Sequence, residues 1–96
     1  MSDIGTLQEV LVECNTSKGM FENEVAVMIE ANDRNVSFFA DLSLISNNEN
    51  IDSLRAYSTC AEDPKSGQLV RVLLPTETFE TGSRWIDVAS QKVRPL

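Results

Sequence analysis

The chain has 96 residues, with 15 acids against 8 bases and no histidine, for a net charge of −7. At this length the expectation is a single domain over residues 1–96 with a small core, in which association adds usefully to stability. Without histidine, no Ser-His or Cys-His nucleophile, no His-ligated zinc and no imidazole base can be assembled within one chain, so acid–base chemistry would fall to carboxylates, Lys, Tyr57 or a thiol.

The two cysteines, Cys14 and Cys60, have a spacing that matches no zinc, redox or iron–sulfur signature, and they are read as reduced, buried, small apolar residues. The segment MSDIGTLQEV has neither a basic start nor an apolar run, and no stretch is long and apolar enough for a membrane span. The expectation is therefore a cytoplasmic protein without membrane contact. No motif for a cofactor or a metal stands out.

In chain order, residues 6–14 alternate: Val10, Val12 and Cys14 share one face and Glu9, Leu11 and Glu13 the other, as in a strand. Asn15-Thr16-Ser17-Lys18-Gly19 then reads as the connecting turn. Residues 24–32 alternate again, with Val25, Val27, Ile29 and Ala31 on one face. Asn32-Asp33-Arg34-Asn35 is a tight turn, and the return strand runs from Val36 to Ile45. Residues 46–50 form a polar loop.

Residues 50–61 fit two patterns. Ile51, Leu54, Ser58 and Ala61 have helical spacing with Asn50 as N-cap, whereas Leu54, Ala56, Ser58 and Cys60 suit a strand. Weak helix formers favour a strand over 54–61, preceded by one turn of helix at 50–53. Asp63-Pro64-Lys65-Ser66-Gly67 is a turn, Leu69–Leu74 a short apolar strand stopped by Pro75, Thr76–Thr81 an extended edge, and Arg84–Val93 the last strand. The fold class is mainly β: a small antiparallel barrel or strongly rolled sheet of five to six strands, SH3-like or OB-like in shape, with room for one short helix near 50–61.

Adjacent apolar pairs such as Phe38-Phe39, Leu44-Ile45 and Leu73-Leu74 must send one member of each pair away from the core. Leu11, Ala26, Met28, Phe39, Ile45, Leu69 and Leu73 are thus expected to form a second apolar layer, the interface of a C2 homodimer. Trp85 and Arg84 near Tyr57 make a candidate ligand patch. The pairs Glu22/Glu24, Glu77/Glu80 and Glu62/Asp63 are candidate acid–base or cation sites, and Arg71, Arg84, Lys92 and Arg94 a candidate anion site.

Residues 1–33 carry a net charge of −6, residues 34–65 of −2 and residues 66–96 of +1. That balance disfavours direct nucleic-acid binding, which needs Lys and Arg against phosphate. The leading reading is a non-catalytic protein-interaction module with a protein partner. A small-ligand barrel or carboxylate-dependent enzyme with its pocket at a subunit interface is the alternative, and an acidic mimic of nucleic acid a third.

Overall fold

The computed structural model describes residues 7–59 and 68–96. Among the described residues eight strands are formed: β1 (Gln8–Lys18), β2 (Glu24–Glu30), β3 (Asn35–Asp41), β4 (Ile45–Asn48), β5 (Ile51–Ser58), β6 (Leu69–Leu73), β7 (Trp85–Ala89) and β8 (Val93–Pro95). They build one antiparallel sheet ordered β3-β2-β1-β5-β6-β7, with β4 on β5 and β8 on β1. The mainly β expectation holds: the sheet is a curled half-barrel, and among the described residues there is no α-helix.

Two 3-10 turns bend it. Leu42–Leu44 leads from β3 to β4, with the Asp41 carboxylate capping the Ser43 amide, and Ser90–Lys92 leads from β7 to β8. The first corner carries the chain from the edge of β2 to the edge of β5, the second from β6 to β1, so both wrap around the long β1–β5 ladder. Inside the curl, period-two alternation buries Val10 and Val12, Val27 and Ile29, Val36 and Phe38, Leu54, Val72 and Val88.

The hairpin of β2 and β3 matches expectation, with the Ala31 amide donating to the Arg34 carbonyl at 2.9 Å to close the turn. Elsewhere tertiary pairing overrides local preference. Asn15-Thr16-Ser17-Lys18 is strand, not turn, because Asn15 to Lys18 pair with Met28 to Val25 across β1 and β2. The expected polar loop at 46–50 is mostly β4. The expected helical turn at 50–53 is absent: Glu49 and Asn50 have φ of 55° and 68°, the two left-handed positions of a tight turn between β4 and β5.

The return strand stops at Asp41, and the three residues of the 3-10 corner break the alternation beyond it. Leu42, which unbroken alternation from Val36 and Phe38 would turn inside, is consequently 49% exposed, while Ile45 pairs with the buried Leu54 and packs on the core. Thr76–Thr81 is not an extended edge but part of a loop closed by its own hydrogen bonds: the Thr78 amide donates to the Ser83 carbonyl, the Gly82 amide donates to the Thr78 carbonyl, and Thr78 itself is buried. The expected last strand is broken by the second corner. Cys60 and the turn at 63–67 lie outside the described residues.

Candidate functional site

Residues opposite each other in an antiparallel ladder point to the same face. Tyr57 is opposite Leu73, and Leu73 is opposite Trp85. The outer face of β5, β6 and β7 therefore carries a row of three large side chains, Tyr57, Leu73 and Trp85, with Tyr57 and Trp85 each 41% exposed. At the far end of β6, Leu69 extends the same face and is 48% exposed. Trp85 is fixed at the start of β7, where its amide donates to Ser83 Oγ at 3.0 Å.

Charges of both signs border the row. Glu9 is opposite Tyr57, Arg55 and Arg94 are opposite Leu11, and Arg71 Nε contacts Asp87 Oδ1 at 3.2 Å across β6 and β7. This last pair is solvent-exposed and adds little to stability.

The candidate ligand patch is partly assembled. Tyr57 and Trp85 come together through Leu73, but Arg84 is used for structure: its Nε donates to the Leu74 carbonyl at 2.9 Å and its own carbonyl accepts from the Leu74 amide at 2.7 Å, clasping the neck of the 74–84 loop. On its other side Trp85 borders an open cleft of about 410 Å³, shared with Asp33 and Arg34 from the β2–β3 turn, Arg71, Thr81 and Asp87. The cleft forms because the Asn32 amide donates to the Asp87 carbonyl at 2.8 Å, drawing that turn against β7.

Of the seven residues expected in the outer layer, Leu11, Ala26, Met28, Phe39, Leu69 and Leu73 lie on the outer face, and Ile45 does not. Nor is the outer layer continuous. Met28 and Phe39 sit on the β2–β3 flank, where Phe39 is covered edge-on by the ring of Phe79 at a centroid distance of 5.6 Å. The outward Glu9, Glu13 and Arg55 of β1 and β5 separate that flank from the Tyr57 row.

The expected anion site does not assemble. Arg71 contacts Asp87, Lys92 Nζ contacts Glu30 Oε1 at 2.6 Å, Arg84 holds Leu74, and Arg94 Nη2 donates to Ser53 Oγ at 3.1 Å. Hydrogen bonding to Lys92 lowers the Glu30 pKa. Carboxylates are likewise committed: Glu24 accepts the Met20 amide, Glu80 binds Ser37, and Asp52 accepts from Asn47 and Thr16, which lowers its pKa. Glu62 and Asp63 lie outside the described residues. Among the described residues, no group of three His, Cys, Asp or Glu is placed to hold a metal ion, and no helix is long and apolar enough to cross a membrane.

One exposed feature escaped the sequence reading. Met20 and Phe21, at the β1–β2 turn, are 74% and 73% exposed. The available signal was two adjacent large apolar residues between a Gly and an acid, which the misplaced turn at 15–19 obscured. Comparisons of the chain with protein-family models, with curated proteins and with solved structures gave no match.

Proposed function

We propose that the chain is a non-catalytic protein-interaction module that pairs with a second copy through the outer face of β5, β6 and β7. The observation that carries this reading is the Tyr57, Leu73 and Trp85 row, in which two aromatic side chains flank a leucine on a rigid sheet. A few residues carry most of the binding energy at protein interfaces, and Tyr and Trp are enriched among them. A two-fold contact brings a patch against itself, so it suits a surface that carries both signs of charge, as Glu9 and Arg55 do here. The lack of histidine supports the non-catalytic half of the reading.

Sedimentation equilibrium at micromolar concentration tests it. Twice the chain mass is expected for the wild type and the single-chain mass for Tyr57→Glu and Trp85→Glu, with emission of the sole tryptophan shifting to the blue as the dimer forms. A wild type that stays at the single-chain mass overturns the reading.

The cleft beside Trp85 supports a second reading, a small polar ligand stacked on the indole and held by Arg34 or Arg71. Quenching of the tryptophan in a small-molecule screen, lost in Arg71→Gln, would favour it over dimerisation.

A further inference from the structure

Met20 and Phe21 are the two most exposed large apolar side chains among the described residues, and they are held outward by an ordered turn. The Met20 amide donates to Glu24 Oε1 at 3.0 Å, the Glu24 amide to the Phe21 carbonyl at 3.1 Å, and the Leu42 amide to the Asn23 carbonyl at 2.8 Å. Gly19 permits this geometry. A Cβ there would lie 2.4 Å from the Glu24 carbonyl oxygen, a backbone atom that cannot swing aside. These hydrogen bonds brace the tip, and bracing lowers the entropy lost when it is captured.

Its surroundings specify what captures it. Phe21 shares a shallow hollow with Glu22, Asn23, Glu24 and Asp41, and the half-exposed Leu42 follows directly on Asp41. Three acids, Glu22, Glu24 and Asp41, border this apolar tip, and along the chain Lys18 is the only base within five residues of it. A two-fold contact with a second copy would bring two such collars together, and an anionic lipid surface would repel them.

We propose that the Met20–Phe21 tip is a docking knob for a protein partner presenting an apolar surface rimmed by Lys or Arg. This goes beyond the dimer reading and uses a different part of the molecule, since the Tyr57 row lies on β5, β6 and β7.

The test uses two labelled amphipathic helical peptides, one of Leu and Lys and one of Leu and Glu, titrated with the full chain at low salt and followed by anisotropy. The Leu/Lys peptide is expected to bind and the Leu/Glu peptide not. The double substitution Met20→Ser, Phe21→Ser is expected to weaken binding roughly tenfold or more, while Leu96→Ser, an exposed apolar residue beside Glu9 near the start of β1, leaves it unchanged. Thermal melts confirm that the variants fold, and sedimentation of the same samples keeps the dimer question separate. Failure of the Leu/Lys peptide to bind, equal binding by the tip variant, binding of the Leu/Glu peptide, or tip-dependent uptake by phosphatidylcholine vesicles would each overturn the proposal.

Discussion

The Glu80 carboxylate takes the place of a neighbouring strand for Ser37. Its Oε1 accepts the Ser37 amide at 2.6 Å and its Oε2 the Ser37 hydroxyl at 2.5 Å, while the Ser37 carbonyl accepts the Phe79 amide at 2.9 Å. Ser37 is opposite Met28 in the β2–β3 ladder, and because its amide and carbonyl bond to Glu80 and Phe79 they face away from β2, toward the open edge of β3. Unpaired edge groups are templates for another chain, and the 74–84 loop satisfies them here. Replacing Glu80 with Ala should raise the tendency to form species larger than those of the wild type. Light scattering against time and concentration checks this, and a Glu80→Ala protein that stays as dispersed as the wild type would show that the edge needs no guard.

The same contact sets a pH dependence. Hydrogen bonds from Ser37 hold the Glu80 carboxyl below the ordinary glutamate range, and hydrogen bonds similarly lower Asp52 and Glu30. A lowered folded-state pKa stabilises the fold fully above the unfolded value, about 4.3 for Glu, and that contribution fades as pH falls through the lower folded value. Melting temperature should be level in this respect near neutrality and decline in the acid range, less steeply for Glu80→Gln. Identical acid limbs for the two proteins would remove Glu80 from the account.

The β4–β5 turn offers a gain in stability. Both Glu49 and Asn50 are left-handed, a conformation that Asn tolerates and Glu does not favour. Replacing the pair by Asn-Gly, the preferred sequence for this turn, should stabilise the fold by about 1 kcal/mol in urea unfolding. An unchanged or lower midpoint would indicate that the Glu49 conformation carries no strain.

The alternation in Val25, Val27 and Ile29 and in Val36 and Phe38 was enough to identify the β2–β3 hairpin and its buried face, because each strand is half-buried and uninterrupted. The corners were not legible. Leu42 and Ile45 exchange environments through a three-residue 3-10 turn whose only local sign is an Asp two residues before a Ser, and its position depends on where β5 receives β4. Turn chemistry misled at Asn15 to Lys18, where pairing with β2 outweighs the preference of Asn and Ser for turns. For the site, Tyr57 and Trp85 were visible as rare aromatics, but that Leu73 joins them while Arg84 is diverted to Leu74 depends on register and on a loop clasp.

Leu54 has 0% exposure and lies opposite Val12 on β1 and Ile45 on β4, where the two flanks of the curl meet. Leu54→Ala should cost about 2–5 kcal/mol, a large part of the roughly 5–15 kcal/mol that stabilises a typical domain. Leu69→Ala, on the exposed outer face, should stay within about 0.5 kcal/mol as a monomer. Similar losses at the two positions would contradict the assignment of inner and outer faces.

Cys14 tests the inner face chemically. It is a free thiol packed against the core, and burial, reinforced by the Asp52 charge, pushes its pKa up to about 12. Alkylation requires the thiolate, so at about pH 8 the reactive fraction falls from roughly a quarter for an ordinary thiol to about one in ten thousand. Iodoacetamide should therefore leave the Cys14 peptide unmodified in the native protein and modify it readily in urea, as read by mass spectrometry. Labelling of Cys14 at similar rates in both conditions would mean that the sulfur is not held inside the curl beside Asp52.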